Sequence, residues 1–155
     1  MQKQRFNIEG QYRTMAIIWA SLVMSQVFFL VLVYFTQPGL LQFDFSRPPI
    51  AEGNGAAMIT GFAIVALITV TLSFVFKKRR NEQAVAEQKP AHLQAALIIA
   101  LALCEVSSLL GVVLAFVFEY QYFFLWIALG ILGMIFHFPR RSDLHAASYK
   151  NPLSS

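Results

Sequence analysis

Glu105 is the residue that first demands a chemical explanation. It sits near the middle of ALIIALALCEVSSLLGVVLAF, residues 96–116, a run that is otherwise almost wholly apolar. Carrying an acid to the centre of a membrane helix costs at least roughly 2.5 kcal/mol on insertion scales. The apolar stretches of this chain contain no Lys, Arg or Asp, so none of them offers a cation to neutralise it. Desolvation then favours the neutral acid, which can both donate and accept hydrogen bonds. Gln26 lies at similar depth in the first apolar stretch, and Thr69 lies about a turn off centre in the second. Ser107 and Ser108 are local, with Ser108 one turn along the same helix face. These four are the expected hydrogen-bond partners.

Other chemistry finds little footing. His92 and His137 fall at the ends of apolar stretches, without a second histidine or acid at metal-ligand spacing, so no metal site is expected. Both read as interfacial residues, and His137 suits a helix C-terminus. Cys104 adjoins Glu105 in sequence but points about 100° away on a helix, and a thiol in lipid stays neutral and inert. Ala96, Ala100, Cys104, Ser108, Gly111 and Ala115 recur at spacings of three and four, a small-residue stripe where another helix can approach closely. Gly130 and Gly133 read as packing contacts too. No nucleophile–base pair, phosphate-binding loop or heme ligation pattern occurs, so neither enzymatic activity nor a cofactor is expected.

The elements that must carry Glu105 follow from composition. Of 155 residues, 57% are hydrophobic and only 13% charged, with a mean hydropathy of +0.60. Soluble domains run nearer a quarter charged, so lipid is the implied solvent. The apolar stretches lie at about 15–35, 56–76, 93–118 and 122–138. At about 1.5 Å per residue, the first three cross a hydrocarbon core of roughly 30 Å, and the fourth sits near the lower limit. Trp126, Tyr122 and Phe138 mark its interfacial ends. The first stretch is too long for a signal-peptide core and lacks a cleavage pattern, so it reads as retained. The expected fold is all-α: four transmembrane helices forming a bundle of two hairpins.

Charge sets the expected topology. Lys3, Arg5 and Arg13 precede the first span; Lys77, Lys78, Arg79, Arg80 and Lys89 lie between the second and third; Arg140, Arg141 and Lys150 follow the fourth. Only Arg47 falls on the other side, so eleven of the twelve basic residues share one side. The positive-inside rule makes that side cytoplasmic and places both termini there, in a bacterial cytoplasmic membrane. No basic stripe runs through a folded domain, so nucleic acid is not an expected partner despite a pI near 9.5. Anionic lipid at Lys77, Lys78, Arg79 and Arg80 is a candidate partner, beside the plainer reading of a stop-transfer block. Homo-oligomerisation and membrane-complex subunits stay open.

Residues 1–14 and 139–155 read as solvent-exposed cytoplasmic tails, the latter ending in HAASYKNPLSS, and 77–92 as a polar connection. Pro38-Gly39 stops the first helix. In the outer loop, Leu40, Leu41, Phe43 and Phe45 are expected to dip into the headgroup boundary. Glu119-Tyr120-Gln121 is so short a link that the third and fourth spans must be antiparallel neighbours.

The segment around Glu105 resembles the carboxylate-bearing helix of the rotary ATPase c subunit, the proteolipid of the membrane rotor. In that family an Ala/Leu/Ile-rich run leads to a mid-membrane acid, then an apolar turn, a Gly and a Leu/Val/Ala run. Glu105 matches the acid, Gly111 the glycine, and Val112 to Phe116 the exit. Arg80, Gln83 and Pro90 occupy a longer version of the family's polar loop. The resemblance covers about residues 80–116. It implies a carboxyl that is protonated in lipid and releases its proton on meeting an arginine of a separate stator. The sodium-binding variants need extra side-chain oxygens beside the acid, where this chain has Val106, so the implied ion is a proton. Two functions therefore stand at this point. One is a c-subunit-like component in proton translocation. The other is a structural or accessory membrane protein whose protonated Glu105 ties helices together.

Overall fold

The computed structural model describes residues 2–41 and 54–148, and the side chains of 8–40 and 55–148. The described residues form five α-helices: α1 (Gln2–Thr36), α2 (Asn54–Ala86), α3 (Ala91–Phe118), α4 (Phe124–Phe136) and α5 (Arg141–Ser148). A single 3-10 turn, Pro38–Leu41, follows α1, and no strand occurs among the described residues. The expected headgroup contacts of Leu41, Phe43 and Phe45, and the positions of Arg47 and Lys150, lie outside the described side chains.

Among the described residues three helices are long and apolar enough to cross a membrane, within α1, α2 and α3. Leu67, Ile68, Phe28 and Phe35 are among the many large apolar side chains turned outward. Water would penalise such a surface, whereas lipid solvates it at no cost. α4 is shorter than the expected span at 122–138. Its 13 residues reach about 20 Å, less than a hydrocarbon core of roughly 30 Å.

The helices meet along narrow stripes. On α1 the inner residues are Ile8, Tyr12, Met15, Trp19, Leu22, Gln26 and Val33, at steps of three, four or seven. On α2, Ile59, Ala66 and Ser73 are buried one heptad apart. On α3 the buried set is wider, from Leu93 through Ala100, Cys104 and Ser108 to Ala115. α3 is therefore the central helix, with α2 and α4 antiparallel to it and α1 parallel. Ala100, Cys104, Gly111 and Ala115 are all buried in these contacts.

Several expected boundaries move. Residues 2–14 do not form a loose tail: they continue α1, because Ile8 and Tyr12 extend its inner stripe onto the core cluster around Leu93 and Leu144. The 77–92 connection is mostly helix. Lys, Arg, Glu, Gln and Ala all favour helix, so the change from an apolar to a charged run does not end the backbone of α2. The turn itself is short. Gln88 takes a left-handed conformation (φ 54°), while Lys89 N–H bonds Ala84 O at 3.0 Å and Gln88 N–H bonds Val85 O at 3.3 Å. That pair of bonds is a Schellman motif. Glu119 also ends α3 in a left-handed conformation, at φ 48°, but here its own N–H and that of Tyr120 (3.1 Å) both reach the single carbonyl of Leu114.

The C-terminal segment also differs from a polar tail. Leu144 and Ala147, three residues apart, are buried, and α5 lies across the ends of α1 and α2. Arg141 bridges Glu9 at 3.2 Å and stacks 4.6 Å over the Tyr12 ring. Asn81 Nδ2 donates to Asp143 Oδ2 at 3.3 Å. The start of α1, the α2–α3 turn and α5 thus share one end of the bundle.

Candidate functional site: the carboxyl between α1 and α3

Glu105 is half-buried where α3 faces α1. Its partner there is Ser25, which the sequence reading missed. Ser25 Oγ lies 3.1 Å from Glu105 Oε1 and 2.7 Å from the carbonyl of Leu22, three residues back on its own helix. A serine hydroxyl has one proton and can accept as well as donate. With its proton on Glu105, Ser25 pairs with an ionised carboxylate. With its proton on Leu22 O, it accepts a hydrogen bond from the protonated acid. One hydroxyl rotation therefore accommodates both states of Glu105.

Gln26 lies beside this pair rather than on it. Its side chain is fully buried, and Nε2 reaches Ser25 Oγ at 3.4 Å while Oε1 has no hydrogen-bond partner. A buried amide oxygen without a donor is costly, so the polar cluster Ser25–Gln26–Glu105 carries an unmet acceptor. Among the described residues Glu105 forms no ion pair.

The remaining expected partners turn elsewhere. Thr69 Oγ1 donates to Ala66 O at 3.0 Å, within α2, as helical threonines commonly do. Ser107 Oγ donates to Trp126 O at 2.9 Å, joining α3 to α4. Ser108 Oγ is buried without a partner against Gly130. Ser107 and Ser108 face α4, whereas Glu105 faces α1, so their nearness in sequence does not become nearness to the carboxyl.

The α3–α4 seam is built on absent side chains. A Cβ on Gly130 would overlap Ser108 Oγ and come within 2.9 Å of Cys104 O. A Cβ on Gly133 would meet Cys104 Sγ at 2.8 Å, and one on Gly111 would meet Phe123 O at 2.8 Å. Cys104 thus points to α4 and α2, away from Glu105.

A second polar cluster closes the C-terminal end of α4. His137 is buried rather than interfacial, with Nε2 2.8 Å from Ser73 Oγ. Cys104 Sγ also reaches Ser73 Oγ at 3.4 Å, and Ser73 donates to Val70 O at 2.6 Å. Ser73 can accept from the other two and donate to its own helix, which satisfies all three buried groups. Lys77 Nζ donates to His137 O at 3.0 Å, and Trp19 Nε1 donates to Met134 O at 2.7 Å, so the last carbonyls of α4 are capped by side chains. His92 instead sits at the α2–α3 turn, 3.3 Å from Glu87 Oε2. Lys89 at 3.2 Å holds the Glu87 carboxyl below its ordinary range, with a smaller contribution from His92. No group of three or more His, Cys, Asp and Glu side chains that could hold a metal occurs among the described residues.

No family model matches this chain, and no curated protein or solved structure matches it.

Proposed function

We propose that this chain is a small multi-pass membrane protein in which Glu105 binds and releases a proton within the bilayer. The supporting observation is the Ser25 hydroxyl, which can bond the carboxyl in either state while no cation among the described residues locks it ionised. A purely structural acid needs one well-made bond; a proton-binding acid needs a partner that tolerates both forms. The half-buried position also leaves the group reachable from outside the α1–α3 seam. From the c-subunit resemblance this reading takes only the chemistry of the carboxyl and not a ring architecture.

In the proposed topology both termini are cytoplasmic, with the KKRR end of α2 on the same side. The contact of Arg141 with Glu9 supports placing the two ends of the chain together. α4 completes the bundle as a short fourth helix packed on α3.

The competing reading is a structural or accessory protein in which the Ser25–Glu105 bond only ties α1 to α3. The buried, glycine-dependent α3–α4 seam favours it to the extent that this part of the bundle is rigid. A hydrophobic carbodiimide distinguishes the two, since it modifies protonated carboxyls in lipid. Labelling of Glu105 that falls as pH rises is expected for proton binding and release. Labelling that does not change with pH, in a protein whose Glu105→Gln variant is functionally silent, supports the structural tie alone.

A further inference from the structure

Between α2 and the α4–α5 link lies an open crevice of about 320 Å³. Its lining changes in order along both walls. On the α2 wall, Phe74 is followed one turn later by Lys77 and Lys78, and then by Asn81 and Glu82. On the other wall, Phe136 and His137 are followed by Arg140 and then Asp143. Aromatic surface thus gives way to three cations and then to an amide and two carboxylates. The Phe74 ring lies 4.5 Å from His137 and 6.3 Å from Phe136, and Phe136 is 70% exposed.

We infer that this crevice holds one anionic glycerophospholipid, its phosphate at Lys78 and Arg140 and an acyl chain against Phe74 and Phe136. The order of the lining matches the order of groups along such a lipid. The phosphate meets cations from two separate elements, and headgroup hydroxyls reach acceptors on Glu82 and Asp143. The cationic level falls where the apolar run of α2 ends at Phe76, the depth at which a phosphate resides. Lys77 gives one of its three donors to His137 O, which holds its head toward α4, while among the described residues Lys78 and Arg140 have no such tie. Charge count alone would give all of Lys77, Lys78, Arg79 and Arg80 equal weight. The geometry does not: Arg79 and Arg80 are outside the crevice lining, and Arg80 lies 5.3 Å over the Phe76 ring.

The test is native mass spectrometry of the full chain in mild detergent, titrated with phosphatidylglycerol or phosphatidylcholine. One phosphatidylglycerol is expected to saturate the protein, bound at least about tenfold more tightly than phosphatidylcholine. The Lys78→Ala/Arg140→Ala pair is expected to weaken it roughly twentyfold to thirtyfold. The charge-keeping Lys78→Arg/Arg140→Lys pair retains binding, as does Arg79→Ala/Arg80→Ala within about twofold. Equal loss in the two alanine pairs would mean a diffuse basic surface and would overturn the site, as would equal binding of the two lipids. Loss of binding in the charge-keeping pair would also overturn it, since phosphate contact through charge would then not be the cause.

Discussion

Ser25 and Glu105 face each other across the α1–α3 seam with 3.1 Å between Oγ and Oε1, and Ser25 keeps the Leu22 carbonyl within reach at 2.7 Å. The carboxyl therefore has a neighbour that is neither committed donor nor committed acceptor. That relationship separates a proton-handling acid from one pinned by a fixed partner.

Removing the hydroxyl should loosen α1 from α3. Ser25→Ala is expected to cost about 0.5–2 kcal/mol, the range for interhelical hydrogen bonds in membranes. Glu105→Gln should cost less, because its amide can donate to or accept from Ser25. Glu105→Leu should cost more than Glu105→Gln, since it removes the bond between the helices and leaves Ser25 only its own-helix partner, Leu22 O. Equilibrium unfolding in mixed micelles measures all three, and equal stability of the Gln and Leu variants would refute the bond.

The α3–α4 seam should reject even one methyl group. Gly130→Ala places its Cβ against Ser108 Oγ and Cys104 O, and backbone cannot retreat as a flexible side chain can. A loss of about 1–3 kcal/mol is expected, the usual cost of overpacking. Ser108→Ala should be neutral or slightly stabilising, because the hydroxyl it removes is buried without a partner. The same unfolding measurement ranks the two variants, and the reverse order would contradict the seam.

Glu119 holds a left-handed conformation at the end of α3 that costs a side chain energy and glycine little. Glu119→Gly is expected to stabilise the α3–α4 turn by roughly 0.5–1 kcal/mol, the left-handed penalty of a side chain less the backbone entropy that glycine loses. Its side chain is exposed, so little packing is lost. A destabilised Gly variant would show that Glu119 contributes through its carboxylate instead.

The sequence exposed the all-helical character and three long apolar helices, because lipid selects long apolar runs and few competing patterns produce them. It also placed Glu105 near the centre of α3. It did not reveal Ser25. Depth along the helix selected Gln26, but the two neighbours differ by about 100° in direction, and only the helix crossing decides which one meets Glu105. Ile8, Tyr12 and Met15 did carry a signal for the early start of α1, at helical spacing within polar surroundings. Leu144 and Ala147 carried a weaker one for α5. Both were hidden by composition, since a stripe of two or three apolar residues leaves a segment polar on average. The bonds of His137 to Ser73 and of Lys77 to His137 O carried no signal, because they join residues some sixty positions apart.

The most direct measurement is the carbonyl stretch of Glu105 by infrared difference spectroscopy, on protein in lipid across a wide pH range. The account predicts a protonated-carboxyl band that vanishes reversibly as pH rises, is absent in Glu105→Gln, and shifts in frequency in Ser25→Ala. A spectrum in which Glu105 stays in one protonation state throughout, or one that Ser25→Ala leaves unchanged, would contradict it.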